Sequence, residues 1–197
     1  MSAIDVIAGL QEPTAFDTAV RAWVHAHQSR TATTALRWVS IVGSVTPMVL
    51  LAVASALAML GRERRHAVSA LLLAPLASVL TYHLVKGIFA RGRPSGLGNF
   101  FEGTYSFPSA HATTSAAICC TLAYVFWRER LLPGVLALPI AVLVPSLIGV
   151  SRIYLDVHWA TDVLGGWGAG LLIAVLSAAL YHWSRGVAAR RYSSSET

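Results

Sequence analysis

Val39–Leu60 reads VSIVGSVTPMVLLAVASALAML, 22 residues without a charge. A hydrocarbon core of ~30 Å needs roughly 20 apolar residues as α-helix, so this stretch is long enough to cross a membrane. Outward from it the pattern repeats. Ala67–Val85 follows with His83 as its only ionisable group. Ala112–Trp127 is shorter and borrows a turn from Pro108–His111. Leu131–Val150 carries Pro133, Pro139 and Pro145, tolerable where neighbouring helices re-satisfy the backbone. Val163–Trp183 holds Gly166 and Gly170, a small-xxx-small spacing that lets helices approach closely. The reading is an all-α membrane bundle of about five transmembrane helices.

Composition agrees. Hydrophobic residues are 55% of the 197 and charged residues 12%, about half the ~25% of a soluble domain. Mean hydropathy is +0.61. Too few polar groups remain to cover a soluble globule, which excludes a soluble enzyme, a disordered regulator and a coiled coil. Cys119 and Cys120 are adjacent within an apolar run and read as membrane-helix filler. Asp5 and Glu12 interrupt the start, so no secretory signal is predicted there.

The first 38 residues differ. Phe16, Ala19, Val20, Trp23 and Val24 fall at helical spacing, with Asp17, Arg21, His25 and Gln28 on the other side. An amphipathic helix lying on the membrane is predicted, with a helix packed on the bundle nearly as good a fit. The resulting division is an interfacial segment over 1–38, a membrane domain over 39–184 and a polar, frayed tail over 185–197.

The net charge of +6 comes from 15 bases, 14 of them Arg, clustered between apolar stretches. That pattern points to membrane topology and an anionic substrate, and away from nucleic acid. With five spans, Arg62, Arg64, Arg65, Arg128, Arg130, Arg185, Arg190 and Arg191 share one side. Arg21, Arg30, Arg37, Lys86, Arg91, Arg93 and Arg152 share the other. Eight against seven decides nothing. Setting aside Lys86, Arg93 and Arg152, which have a chemical reason to be where they are, leaves eight against four and puts the first set in the cytoplasm.

Ionisable groups crowd the outer helix ends in three clusters: Lys86-x6-Arg93-Pro94, Pro108-Ser109-Ala110-His111, and Ser151-Arg152-x5-His158-x3-Asp162. Three converging cations would bind a di- or trianion, and Arg matches phosphate oxygens with forked donors. Pro108 suits a first helical turn, where its missing N–H costs nothing. The N–H groups of that turn, with the Ser109 hydroxyl, form an anion cradle. His158 and Asp162, four apart, share a helix face, so the carboxylate would hold one ring nitrogen and leave the other as nucleophile or base. His111 adds a second imidazole, fit for general acid work. Singly, each is weak evidence: an interfacial Arg is usually an anchor, and a His-x3-Asp pair is more often a local hydrogen bond. A zinc site lacks a third ligand at recognisable spacing. His83, one turn before Lys86, is placed to reach the site but reads better as polar helix packing; His25, His27, His66 and His182 read as interfacial residues, Glu102 and Asp156 as exposed loop charges.

Together the clusters resemble the tripartite signature of the type 2 phosphatidic acid phosphatase family, membrane lipid phosphatases related to the vanadium haloperoxidases. Ten positions match in order and spacing: Lys86, Arg93, Pro94, Pro108, Ser109, His111, Ser151, Arg152, His158 and Asp162. Ala110 stands where the family usually has Gly; its N–H contact survives if φ stays negative. The resemblance implies catalytic roles for His158, His111 and Asp162. His158 attacks phosphorus to give a phosphohistidine, Asp162 orients it, and His111 protonates the leaving oxygen and then activates water. It implies phosphate binding by Lys86, Arg93, Ser109, Ala110 and Arg152, with no metal or other cofactor. Many members have six spans, and the first has no counterpart here.

The implied function is hydrolysis of a lipid phosphate monoester or diphosphate at the extracytoplasmic face of a plasma membrane. The Arg-rich chain looks bacterial. Polyprenyl diphosphate is the first choice of substrate, with phosphatidate and phosphatidylglycerol phosphate next. A haloperoxidase would be soluble. The rival from another class is a catalytically silent lipid-phosphate binding or translocating protein, which would have no need to keep both histidines. Oligomeric state is not readable from the sequence.

Overall fold

The computed structural model describes residues 11–94 and 105–194, with the side chains of 189 and 191–194 left aside. Those residues form seven helices and no strand: α1 (Ala15–Ala26), α2 (Arg30–Val42), α3 (Val45–Leu60), α4 (Arg65–Phe89), α5 (Ala110–Arg128), α6 (Gly134–Tyr154) and α7 (Ala160–Ser194). Three are long and apolar enough to cross a membrane: α4, α6 and α7. The bent pair α2–α3 makes a fourth if it counts as one span.

The uninterrupted Val39–Leu60 span is corrected. The chain turns by 45° between α2 and α3, at Gly43–Ser44. Pro47 explains the break. In a continuous helix its ring would strike the Gly43 carbonyl, four residues back; with a new helix starting at Val45, Pro47 falls in the first turn, where no N–H is required.

Helix α5 is the central element. It packs against α3, α4, α6 and α7, and nearly all its residues from His111 to Val125 are buried. Encased by other helices, it tolerates Thr113, Thr114, Ser115 and Thr121, which keep it off the list of apolar spans. Gly166 and Gly170 make its seam with α7. A Cβ at Gly166 would lie 2.9 Å from the Ser109 carbonyl oxygen, and one at Gly170 2.6 Å from the Thr113 carbonyl oxygen.

The interior holds small residues such as Ala52, Ala56, Ala74 and Ala117, while large aliphatics face outward. On α4, Leu72, Leu76, Leu80, Leu84 and Ile88 form an exposed stripe at four-residue spacing. A soluble fold would bury such a stripe; a lipid-facing helix displays it. Cys120 is more than filler. Pro145 cannot bond the Ala141 carbonyl, and the Cys120 thiol donates to that oxygen at 3.4 Å.

At the end of the bundle away from the motif clusters, Glu129 accepts from Tyr181 Oη (2.5 Å) and contacts His66 Nε2 (2.8 Å) and Arg64 (2.9 Å), while His182 meets Tyr124 Oη. His66 and His182 are thus network partners rather than plain interfacial residues. Helix α7 continues to Ser194, past the point where the polar tail was predicted to fray.

Candidate active site

The three clusters meet at one end of the bundle. Helix α4 ends at Ala90, in a left-handed turn (φ 45°), delivering Lys86 from its last turn and Arg91 and Arg93 just beyond. Helix α5 begins at Ala110, α6 ends just after Arg152, and α7 begins just after His158. Ser109 N–H donates to the Asp162 carbonyl at 3.1 Å, and Arg93 Nη1 to the Val157 carbonyl at 2.8 Å, joining all three clusters.

A cavity of about 730 Å³ opens here. Lys86, Arg93, Ala110, His111 and Arg152 line it, with Tyr82 and His83 from α4 and Ser40, Ser44 and Thr46 around the α2–α3 break. The three cations singled out in the sequence therefore share one space. Lys86 Nζ donates to the Tyr105 carbonyl (2.5 Å), which Arg93 Nη2 also contacts (3.3 Å), and Arg152 donates to Ser40 Oγ. His83, read as helix packing, is instead an exposed part of this wall.

His158 lies behind Arg93 and is only 2% exposed. Its Nε2 is 3.3 Å from Arg93 Nη1, and its Nδ1 is 3.3 Å from Asp162 Oδ2. Asp162 is held by the start of its own helix: as third residue of α7 it accepts the Trp159 N–H at 2.9 Å, satisfying a donor that the first turn leaves open. A carboxylate at Nδ1 favours the tautomer with its proton there and leaves the Nε2 lone pair facing the Arg93 side.

The middle cluster departs in detail from its sequence reading. Pro108 precedes the helix, after a cis peptide bond, and Ser109 is the N-cap. The Ser109 hydroxyl accepts from Ala112 N–H at 3.4 Å and is buried, so it serves the helix and does not line the cavity. Ala110 is helical and absent from the positive-φ residues, so its methyl is accommodated, and it stands at the cavity wall where first-turn N–H groups point out of the helix.

Besides the lining residues Ser40, Ser44, Thr46 and Tyr82, two buried charged residues beside the site escaped the sequence reading. Arg91, counted only as a topology charge, is 2% exposed; its Nη1 donates to Asp162 Oδ1 (2.7 Å) and Thr161 Oγ1 (2.7 Å), its Nη2 to Asp17 Oδ2 (2.7 Å) and the Glu12 carbonyl (3.1 Å). Asp17, placed on the polar side of the amphipathic helix, is wholly buried and also accepts from Thr14 and Thr161. Burial alone would push its carboxyl up. The Thr161 and Thr14 backbone N–H groups, with the Arg91 and Thr161 side chains, outweigh that and hold it at about 2. The only local hint was Thr14-x-x-Asp17, a capping-box pattern that the structure bears out. Asp156 is no idle loop charge: it takes a forked pair of bonds from Arg21 (2.8 Å each) and meets His25 at 3.3 Å. Glu102 lies outside the described residues.

Helix α1 therefore docks on α6 and α7, with Asp17 bonded to Thr161 of α7, Arg21 to Asp156 in the α6–α7 loop and Val24 buried, while Phe16 (54%) and Trp23 (62%) are left exposed.

A helical bundle that gathers Lys86, Arg93, Arg152 and His111 around one cavity, with His158 behind Arg93, defines a class of membrane protein with a cationic pocket at one end. A model of the PAP2 superfamily matches residues 67–186, and the chain belongs to that family. It is 36% identical over 98 residues to Bacillus subtilis phosphatidylglycerophosphatase B, covering 47% of each chain. It is 33% identical over 73 residues to the undecaprenyl-diphosphatase of Sulfolobus acidocaldarius, covering 37% of this chain and 32% of that one. The alignments thus span half or less of these curated relatives. The fold is that of the crystallised transmembrane PAP2-type phosphatidylglycerolphosphate phosphatase from Bacillus subtilis: TM-score 0.71 at 23% identity, covering 88% of this chain and 90% of that one.

Proposed function

We propose that the protein is an integral membrane phosphatase that cleaves the phosphate monoester or diphosphate of a lipid through a phosphohistidine. The observation that carries this is the cavity shared by Lys86, Arg93, His111 and Arg152, with His158 Nε2 3.3 Å from the Arg93 guanidinium. A phosphoryl group entering it meets three cations, which neutralise the charge of phosphoryl transfer. Arg93 swings its donors from His158 onto the phosphoryl oxygens. The Nε2 lone pair then forms the N–P bond as the P–O bond to the lipid breaks, and His111 gives a proton to the departing oxygen. Water next attacks phosphorus, losing its proton to His111, and inorganic phosphate leaves His158. Asp162 holds Nδ1–H throughout and stabilises the charge on the ring. Ala110 N–H donates to the phosphoryl group at the helix start, whereas Ser109 acts by capping that helix.

The substrate reading follows the relatives and the surroundings. The cavity opens beside the α2–α3 break, whose Ile41 and Val45 join Ser40, Ser44 and Thr46 in its wall, an arrangement that suits a headgroup with an apolar tail. A polyprenyl diphosphate is the first choice, with phosphatidylglycerol phosphate and phosphatidate next. Purified protein assayed against this panel in excess chelator tests the reading. Release of phosphate from at least one lipid supports it; turnover of none, with lipid phosphate bound, favours the silent binding protein. Turnover restored only by added metal sinks the metal-free mechanism.

We read α2–α3, α4, α5, α6 and α7 as five spans, with the site on the outer face of the plasma membrane. Arg91 now also has a chemical reason for its place, so the count of topology charges becomes eight against three. Single cysteines at Gly98 and Arg62, in a background without Cys119 and Cys120, are expected to react with an impermeant thiol reagent in intact cells only at position 98; reaction only at 62 inverts the topology.

A further inference from the structure

Helix α1 lies outside the residues that match the family, yet one buried residue, Arg91, connects its Asp17 to the His158–Asp162 pair. Asp17, Arg91 and Asp162 are 0%, 2% and 0% exposed, so the contacts between them are shielded from water. We propose that Arg91 is a positioning residue for His158 and that Asp17 is its required counter-charge, which makes the N-terminal helix a working part of the phosphoryl-transfer centre. This rests on the assignment of His158 as nucleophile.

The geometry divides the labour between the two oxygens of Asp162. Oδ1 is pinned by Arg91 Nη1 at 2.7 Å, which stops the carboxylate from rotating and keeps Oδ2 on the side of His158 Nδ1 and the Trp159 N–H. A guanidinium this close would by itself drain the negative potential that Asp162 offers the imidazole. Asp17, 2.7 Å from the other arm of the fork, restores it. The three groups together carry one negative charge, beside a ring that becomes positive as it attacks phosphorus. The two carboxylates sit on different guanidinium nitrogens, and a lysine has only one nitrogen to offer. Thr161 reinforces the bridge: its hydroxyl accepts from Arg91 and donates to Asp17.

The experiment uses the full chain in detergent. Asp17→Asn preserves shape and removes the counter-charge. With a short-chain phosphatidate, kcat is expected to fall about tenfold with KM within about twofold, because the loss falls on the transition state. In an Asp162→Asn background the same change is expected to cost nothing more, since Asp17 has no carboxylate left to act through. Arg91→Lys, which keeps the charge but has one nitrogen for two carboxylates, is expected to lower kcat about as much as Asp17→Asn. Thr161→Val, which deletes the bridging hydroxyl without touching a charge, is the second variant, with a loss of about threefold in kcat in the same sense. Additive losses in the double variant, or a rise in KM with kcat unchanged, overturn the proposal.

¹⁵N-histidine NMR supplies a readout independent of turnover. The resonance missing in His158→Ala is expected to shift in Asp17→Asn. A shifted resonance in a protein that hydrolyses none of the lipids would leave the positioning intact and reject the phosphatase reading. An unmoved resonance in an active protein would reject the positioning alone.

Discussion

Gly170→Ala adds a single methyl, and its effect can be worked out from the seam between α5 and α7. The new Cβ would lie 2.6 Å from the Thr113 carbonyl oxygen, 2.7 Å from Ala116 Cβ and 2.9 Å from the Ala117 nitrogen, all well inside the 3.4 Å at which ordinary contact begins. Two of these neighbours are backbone atoms of a buried helix, which no rotamer change relieves. Overpacking of this kind costs about 1–3 kcal/mol. Alanine returns about 1 kcal/mol through helix propensity, so the net loss is up to roughly 2 kcal/mol. Gly168→Ala, on the same helix, meets nothing within 4 Å and receives only the propensity gain. Both variants share the propensity gain and differ by the overpacking cost, so at about 2–4 °C per kcal/mol for a chain of this size the two melting temperatures in detergent should separate by roughly 2–12 °C, Gly170→Ala the lower and Gly168→Ala at or above wild type. The same displacement reaches the chemistry. Helix α5 carries His111 and α7 carries Asp162, and a shift of about 1 Å between reacting groups can cost 10²-fold. Phosphatase activity should drop at least tenfold in Gly170→Ala and stay within about twofold in Gly168→Ala. Equal melting temperatures and equal activities in the two variants would refute the seam as what aligns the site.

Two further outcomes follow. If His111 delivers the leaving-group proton, His111→Ala should lose about 10²- to 10⁴-fold on an alkyl lipid phosphate and far less on p-nitrophenyl phosphate, whose phenolate leaves unaided; equal losses on both would remove it from that role. Asp17 has its carboxyl lowered from 3.8 to about 2, so it contributes stability that is fully present above the unfolded value and is lost as pH falls through the folded one, roughly 2 kcal/mol in all. The protection of the α1 amides relative to their intrinsic exchange rates should therefore hold at pH 5 and fall between about pH 4 and 2, and Asp17→Asn should abolish that transition.

Patterns local in the chain were readable from it. Apolar run lengths located the helices from Ala67 onward, Gly166 and Gly170 marked a close seam, and the three clusters supplied Lys86, Arg93, Ala110, His111 and Arg152 of the cavity wall. What escaped depends on distant partners. Asp17 looked like any polar-face residue because nothing near it indicates that Arg91, 74 positions away, will bury it. Arg91 in turn was hidden among the other arginines at helix ends, where a membrane anchor is the ordinary reason for the residue. The Gly43–Ser44 break was legible in principle, since Pro47 forbids a helix hydrogen bond to Gly43, but uniform hydrophobicity masked it. Cys120 escaped for the complementary reason: its role appears only once the proline-freed carbonyl of Ala141 is placed beside it.

The central claim is that His158 forms a covalent bond to the phosphoryl group. Its most direct test is trapping of ³²P from a labelled lipid phosphate during turnover in chelator, quenched with alkaline detergent, with the product then challenged by acid and by base. Wild-type protein is expected to carry a base-stable, acid-labile phosphoryl group on residue 158, formed no more slowly than turnover and absent in His158→Ala. Turnover without any such species, or label persisting in His158→Ala, would contradict the account.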